Sequence, residues 1–311
     1  MGLPDGFELR APTAQDIDAI AEVLIADQQA DGQEPTIDAH FLRQVWARSD
    51  FDLATDAWVV ADRAGTIVGY GQVRLDEPDL VGSWGVVHPR HRGRGIGSGL
   101  FDRIEGRAAD LLQGVESPRF RHAINGDRAA ASMVRDRGLR PIRHFWHMQI
   151  DLDEGVDPGA APDGIELGVM EPVDDLRLIH GILEAAFSED PGDHPQPFDR
   201  WSTEELASPS YDPTLWFLAR DEGMPVGVLI GSAGDDVGWV DWLAVLASHR
   251  GRGIGAALLR RAFATFAARG LSRVRLNVDA ENVTGATAVY ERVGMRVVNR
   301  WDLWERAATP R

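Results

Sequence analysis

Apolar and polar residues alternate along the chain with two periods, one typical of helices and one typical of strands. Ile17, Ile20, Val23 and Leu24 are spaced as on one face of an amphipathic helix. Two short apolar runs flank a glycine turn in each half, WVVAD with TIVGYGQV and later WFLAR with PVGVLIG, and each pair predicts a β-hairpin. Further predicted strands and helices follow in the same order in both halves. The pattern predicts an α/β fold with a mixed sheet, present twice.

The heptapeptide HRGRGIG is the clearest sign of this repetition. It occupies residues 91–97 and, 158 positions later, residues 249–255. The same shift aligns WVVADRAGTIVGY with WFLARDEGMPVGV and places Trp84 on Trp242. A chance match would not keep this register, so we infer a tandem duplication. We predict a first domain at residues 1–152, a linker rich in proline and glycine at 153–164, and a second domain at 165–311.

Composition narrows the class of protein. The 311 residues, 44% hydrophobic and 26% charged, suffice for two globular domains. The chain contains no cysteine, which excludes disulfides, thiolate metal sites and cysteine nucleophiles. All 32 basic residues are arginine, which excludes the lysine-dependent chemistry of P-loops and Schiff-base enzymes. The nine histidines show no metal-ligand pattern, so we predict no metal site.

Charge and hydropathy argue against two kinds of partner. The formal net charge of −17 disfavours nucleic acid, whose phosphates need a cationic face. No apolar run approaches the roughly 18 residues of a membrane span, and the N-terminus lacks a signal-peptide pattern. We expect a cytoplasmic protein that binds neither nucleic acid nor membrane. We expect it to be a monomer with two pseudo-symmetric domains or a homodimer.

The repeated loop has the features of an anion site. It follows a predicted strand and opens a predicted helix, whose first N–H groups are unsatisfied and whose dipole favours negative charge. Glycines allow positive φ and close approach of a phosphate, and arginines add forked donors. The Rossmann pattern does not fit, because Gly251, Gly253 and Gly255 alternate and residue 258 is leucine.

Residues 250–255, RGRGIG, resemble the [Q/R]-x-x-G-x-[G/A] loop of the GNAT superfamily of acetyl-coenzyme A-dependent N-acetyltransferases, and residues 92–97 match it equally. The element order agrees over nearly the whole chain, so the resemblance implies a tandem duplication of the GNAT fold with acetyl-coenzyme A as co-substrate. The implied coenzyme-binding residues are Val245, Arg250, Gly251, Arg252, Gly253, Ile254, Gly255 and Asn282 in the second half, and Val87, Arg92, Gly93, Arg94, Gly95, Ile96 and Gly97 in the first.

The resemblance also implies catalytic roles in the second half. Tyr290 lies where the family's general-acid tyrosine lies, and Asp241 lies where many relatives carry a carboxylate base on the strand. The backbone N–H of Val245 is the implied oxyanion donor. A water chain is an alternative base, and Asp241 could instead position substrate or pair with an arginine. In the first half, Ser83 corresponds to Asp241. After the heptapeptide the shift becomes 156, so Val134 corresponds to Tyr290, and that half is expected to be non-catalytic.

We therefore expect acetyl transfer to a primary amine of a small molecule. At neutral pH an alkyl ammonium of pKa about 10 is only about 0.1% neutral, which makes a base useful. Two alternatives stay open. Tandem GNAT proteins with a degenerate first half resemble mycothiol synthase, so the first is an activity like that of mycothiol synthase. The second is a non-catalytic acyl-CoA-binding or regulatory protein. The acidic residues Glu189, Asp190 and Asp193 could attract a cationic amine, although a solvated loop is the commoner meaning of such a run.

Overall fold

The chain folds into two compact units. The structure, a computed structural model, describes residues 2–37, 39–48, 50–153, 155–170, 175–188, 197–234, 236–282 and 285–308. The first unit comprises Met1–Trp146, Asp279–Glu281 and Val298–Arg311. The second comprises His147–Val278 and Asn282–Val297.

Eleven elements run from the beginning of the described chain to its middle, and the last of them, a strand, crosses from the first unit into the second. In chain order they are β1 (Phe7–Arg10), α1 (Ile17–Ala30), α2 (Ala39–Trp46), α3 (Leu53–Asp56), β2 (Ala57–Asp62), β3 (Ile67–Glu77), β4 (Leu80–Val87), α4 (Ile96–Leu111), β5 (Arg119–Ile124), α5 (Arg128–Asp136) and β6 (Arg140–Asp151).

The remaining elements repeat this order in the second half, except that a 3-10 turn at Pro213–Leu215 takes the place of α3. They are β7 (Ile165–Val169), α6 (Leu176–Phe187), α7 (Phe198–Ala207), β8 (Trp216–Asp221), β9 (Met224–Ala233), β10 (Val237–Val245), α8 (Ile254–Ala268), β11 (Arg273–Asp279), α9 (Ala286–Arg292) and β12 (Arg296–Ala307). Both predicted hairpins are confirmed, β2–β3 in the first half and β8–β9 in the second.

The sheet of the first unit is mixed. Its strand order is β1-β2-β3-β4-β5-β12, followed by the first part of β6. The first four strands pair antiparallel, β4 and β5 pair parallel, and β5 and β12 pair antiparallel. Helix α4 covers one face and buries Ile96, Leu100 and Ile104. Helix α1 buries the predicted face, Ile17, Ile20, Val23 and Leu24, which confirms the helical spacing.

The second unit has the same arrangement. Its strand order is β6-β11-β10-β9-β8-β7, with β10 and β11 parallel and the other pairs from β10 to β7 antiparallel. Helix α8 buries Leu258, Leu259, Phe263 and Phe266, and it packs on β8, β9 and β10. Helix α6 contacts β9 and β10. The mixed α/β fold class is confirmed.

The last strand gives an unexpected result. From Val298 onward, β12 belongs to the first unit, where Asp302 faces Ile124 of β5 and Trp304 faces His122. Trp304 is 3% exposed and lies in the first unit's core. The two compact units are therefore not two contiguous stretches of the chain. The predicted boundaries at residues 152 and 165 describe the duplication in sequence, and they stay predictions.

Candidate active site

Asp241 lies at a β-bulge in β10. Val240 faces Gly231 of β9 and Trp242 faces Ile230, so Asp241 is one residue too many for the ladder. Bulges occur next to active sites because they redirect a side chain and locally disrupt strand pairing. The corresponding Ser83 shows no such bulge: it faces Val73 in a stretch of regular register, and the irregularity of the β3–β4 pair lies farther along, between Leu75 and Glu77. The two halves thus differ in backbone geometry as well as in side chain at this position.

The surroundings of Asp241 raise its pKa. The residue is exposed in its cleft, so water reaches it. Nevertheless, desolvation by the protein around the carboxyl raises the pKa of Asp241 to about 6, and a hydrogen bond with Ser232 partly offsets this rise. Ser232 is buried on β9 and was not among the residues predicted from sequence. A carboxylate with a pKa this close to neutrality is suited to general-base catalysis.

A polar strip of sheet surface accompanies Asp241. Ser232, Trp239 and Arg275 are opposite one another on β9, β10 and β11, so their side chains share one face of the sheet. Arg275 is buried, and its Nε donates to Oε1 of Gln149 at 2.8 Å. Since Ser232 contacts Asp241, the carboxyl opens onto this face.

Val245, the last residue of β10, directs its N–H away from β9. The N–H of the next residue, Leu246, donates to the carbonyl of Val226 at 2.9 Å. Donor direction alternates along an antiparallel ladder, so the N–H of Val245 points toward the β11 side. Within residues 236–282, the β10–β11 ladder ends at Val240 and Leu276. The strands therefore separate before Val245, and its N–H faces that gap, as an oxyanion donor must.

The loop after β10 has the backbone that its sequence predicts. Gly251 and Gly253 have φ values of 78° and 82°, a region that favours glycine, and Gly253 is the N-cap of α8. Ile254 is 1% exposed and anchors the start of the helix. The first intrahelical donor is Ala257, whose N–H bonds Gly253, so the N–H groups of the preceding turn are available to an anion.

The two loop arginines have different partners. Arg250 donates from Nε to the Val245 carbonyl at 3.2 Å and from Nη2 to the Ala186 carbonyl at 3.0 Å. Arg252 forms an ion pair with Asp221 at 2.5 Å. Carbonyl partners hold the Arg250 guanidinium in place, and among the described residues no carboxylate pairs with it, so it can attract a phosphate.

Tyr290 lies on α9, next to the loop. The residue is 7% exposed, and burial raises the pKa of Tyr290 to about 12, so the phenol keeps its proton at neutral pH. A β-carbon added at Gly255 would lie 3.8 Å from Val289 of α9 and 3.9 Å from Val245. The structure thus brings together the loop, the end of β10 and the helix that carries Tyr290.

Asn282, the remaining predicted coenzyme contact, is half-buried between β11 and α9. The two residues after it lie outside the described part of the chain. Glu189, Asp190 and Asp193 also lie outside the described residues.

The first half keeps the loop, and Ser83 and Val134 occupy the positions that match Asp241 and Tyr290. Gly93 and Gly95 have φ values of 73° and 86°, Gly95 is the N-cap of α4, and Ile96 is 1% exposed, as Ile254 is in the second half. Val134 is fully buried in the first unit's core. Ser83 donates to the carbonyl of Arg121 at 2.7 Å and contacts Nδ1 of His122 at 2.9 Å.

Two negative findings concern the described residues alone. In the ranges given above, no helix is long and apolar enough to cross a membrane. In the same ranges, no group of three or more His, Asp or Glu side chains is arranged to hold a metal ion.

Comparison with known proteins supports the duplicated pattern. An Acetyltransferase (GNAT) family model matches residues 178–295, and an Acetyltransferase (GNAT) domain model matches residues 54–133. The mycothiol acetyltransferase of Thermobispora bispora is 33% identical over 70% of this chain and 72% of its own. That of Salinispora arenicola is 30% identical over 96% of this chain and 95% of its own.

Solved structures show the same fold. A GCN5-related N-acetyltransferase from Sphaerobacter thermophilus has a TM-score of 0.83 and 33% identity, over 99% of this chain and 98% of that one. A tandem GNAT protein from the clavulanic acid biosynthesis pathway has a TM-score of 0.67 over 98% and 99% of the two chains. Its identity is 19%, so the likeness concerns the fold alone.

Proposed function

Because the chain belongs to the GNAT family of acetyltransferases in both copies of its duplication, we propose that its second half acetylates a primary amine of a small molecule. Membership confirms the predicted tandem GNAT fold and an acyltransferase activity of the GNAT type. The acceptor class and the residues that act on it are our proposal. The cytoplasmic location and the oligomeric state stay predictions.

The second-half loop fits the pyrophosphate of acetyl-coenzyme A. The free N–H groups at the start of α8 and the Arg250 guanidinium form a donor set for an anion, and the positive φ values of Gly251 and Gly253 keep side chains away from it. The coenzyme, when bound, supplies an activated acetyl thioester. Val245, Arg250–Gly255 and Asn282 are the residues that we propose to hold it.

Three groups of this chain then handle charge and protons. The N–H of Val245 donates a hydrogen bond to the oxygen on which negative charge develops. The nitrogen forms a bond to the acetyl carbon and the carbon–sulfur bond breaks, while the phenol of Tyr290 donates its proton to the leaving sulfur. The second proton that the nitrogen loses restores the phenol. The carboxylate of Asp241 accepts the proton of the ammonium. Asp241 precedes Val245 by four residues, about 13 Å along an extended strand, so we propose that this proton passes through water.

The observation that carries the proposal is the asymmetry between two otherwise matching halves. The second half has a bulged, desolvated Asp241 and a buried Tyr290, and the first half has Ser83 in a regular ladder and Val134 in the core. In the second half, a carboxyl and a phenol therefore stand at the two positions for which the family resemblance implies a base and an acid. Chance replacement would not favour two proton carriers in one half and none in the other.

Thiol release from acetyl-coenzyme A across a panel of amines tests the proposal. Tyr290→Phe should lower turnover at least tenfold while coenzyme affinity stays nearly unchanged, because only the proton donor is removed. Tyr211→Phe is the matched control in the same unit, since Tyr211 packs against Trp216 at 5.5 Å and is outside the proposed site. If no amine gave thiol release although the coenzyme binds, the result would favour a non-catalytic acyl-CoA-binding protein.

A second acceptor is supported by the relatives' names. Proteins called mycothiol acetyltransferase match most of this chain and most of their own length. The cysteinyl pseudo-disaccharide amine expected of that activity belongs in the panel. A kcat/KM for it at least a hundredfold above those of simple alkyl amines would make it the preferred acceptor class.

A further inference from the structure

Arg92, the first-half counterpart of Arg250, lies among three carboxylates. Its Nη2 is 2.6 Å from Asp27, its Nη1 is 3.1 Å from Asp31, and its Nε is 3.6 Å from Asp127. Asp31 accepts from both terminal nitrogens. We call these four residues the Arg92 cluster. One positive and three negative formal charges meet in it, and both terminal nitrogens of the guanidinium already donate to carboxylates, while Nε is buried beside Asp127 without a hydrogen bond.

The Arg92 cluster joins elements that border the first-half loop. Asp27 lies in α1, Asp31 directly follows α1, and Asp127 is the N-cap of α5. The chain after α1 also lies directly on the loop before α5, because a β-carbon added at Gly126 would come within 2.7 Å of Gln33. The contacts close the space between the end of α1 and the start of α5 on the side of the arginine loop.

The matched position in the second half is built differently. Arg250 donates to two backbone carbonyls, and among the described residues no carboxylate lies within ion-pair distance of it. The two loops have identical sequences over seven residues and the same glycine conformations. Among the described residues, the difference therefore comes from the partners outside the loop.

The two parallel strands also separate later in the first half than in the second. Parallel pairing of β4 and β5 reaches Trp84 and Ala123, two residues beyond the position that matches Val240 at the end of pairing in the second half. Ser83 reinforces the closure by donating to the Arg121 carbonyl on β5 at 2.7 Å. With that proton committed, Nδ1 of His122 donates to the serine oxygen, so the pair joins the strands and does not form a nucleophile with its base.

We propose that the Arg92 cluster is an autoinhibitory contact that closes the first-half coenzyme cleft, so that each chain binds one coenzyme molecule, in its second half. Three carboxylates compete with a pyrophosphate for Arg92 and repel it. The joined strands leave less room for the rest of the coenzyme. The inference rests on the proposed function for the identity of the ligand, and it concerns a different site.

Calorimetry and hydrogen exchange with coenzyme A test the closure on the full-length chain. We expect one equivalent per chain, and Arg250→Ala with Arg252→Ala should weaken it at least tenfold. Coenzyme should slow exchange in a peptide covering residues 250–257 and leave a peptide covering 92–99 unchanged. Two equivalents, or protection of residues 92–99, would overturn this inference alone. Absence of binding anywhere would overturn the proposed function as well.

A pair of variants tests the contact itself. Asp31→Asn with Asp127→Asn removes two of the three ion pairs and keeps the side-chain shapes. Exchange in residues 31–37 and 125–131 should become at least tenfold faster, because the elements joined through Arg92 separate more often. Asp62→Asn is the control, since Asp62 accepts backbone N–H groups in the β2–β3 turn away from the cluster. Unchanged exchange in both segments would show that the Arg92 cluster does not hold the cleft closed.

Discussion

Replacement of Asp241 by asparagine should slow acetyl transfer and, at alkaline pH, stabilise the fold. The substitution keeps the side-chain shape and removes its charge. Folding raises the pKa of Asp241 from 3.8 to about 6, so the folded protein holds this proton more tightly than the unfolded chain does. Stability is therefore highest when the carboxyl is protonated and falls as the pH rises through this window. Above it, the folded wild type carries the cost of a desolvated charge.

The magnitude follows from the size of the pKa shift. A rise of about 2 units corresponds to about 3 kcal/mol for a carboxyl fully removed from water. Water reaches the exposed Asp241, so we expect solvent screening to reduce the effect to about 1 kcal/mol. In a chain of this length, that gain should raise the midpoint of thermal unfolding by about 2 °C at pH 8. The difference between variant and wild type should disappear as the pH falls from 6 to 4.

Activity gives the second readout. In the wild type, kcat/KM should fall below pH 6 with an apparent pKa near 6, as Asp241 becomes protonated. The Asp241→Asn variant should lack this acidic limb of the pH profile, and its kcat/KM should be lower by about 10²- to 10⁴-fold. Ser232→Ala should move the limb to higher pH, because the carboxylate loses the hydrogen bond that favours its ionised form.

Asp236→Asn is the matched control for both readouts. Asp236 directly precedes β10 and pairs with Arg273 at 2.8 Å at the exposed end of the strand. Its removal should leave the pH limb in place. The reasoning would be refuted by an Asp241→Asn variant no more stable than wild type at pH 8, or by a limb near pH 6 that persists in it.

Two further substitutions test the loop and the last strand. Gly253→Ala forces alanine to a φ of 82° at the N-cap of α8, which should cost about 1 kcal/mol and lower coenzyme affinity by calorimetry. Gly181→Ala, in open space within α6, should leave that affinity unchanged. Trp304→Ala removes a core side chain of the first unit and should cost about 3–5 kcal/mol, with faster hydrogen exchange in β5. Val297→Ala, exposed on the same strand, should have little effect on that exchange.

The order of helices and strands was predictable because apolar residues in each half of the chain have the spacing typical of these elements. Apolar spacing identified α1, and all four residues predicted for its inner face are buried. The hairpins followed from apolar runs around glycine, and Gly65 and Gly223 do adopt positive φ. These features depend on interactions between near neighbours in sequence. One chain therefore sufficed to predict them.

Strand pairing and the bulge were not predictable for a physical reason. The pattern of β12 places Trp304 on the inner face of a sheet, but it does not specify which sheet. An amphipathic strand can complete either copy of a duplicated fold, so the choice depends on long-range contacts. The bulge at Asp241 likewise depends on a one-residue shift in the pairing register of β9 and β10, and no single residue in either strand predicts that shift.

The Arg92 cluster shows why an identical loop does not guarantee an identical site. Asp27 and Asp31 lie more than 60 residues before Arg92 in sequence, and Asp127 lies 35 residues after it. At an effective dielectric constant of 20, each carboxylate about 4 Å from a phosphate oxygen contributes roughly 4 kcal/mol of repulsion. A few acidic residues on neighbouring elements can thus cancel an anion site whose own residues are all retained. The same separation applies to Tyr290 and Val134: both fill a buried position on a helix, so the core can be packed with or without a phenol there. Under the proposed function, packing and catalysis are therefore independent requirements, and the second half is the one expected to meet both.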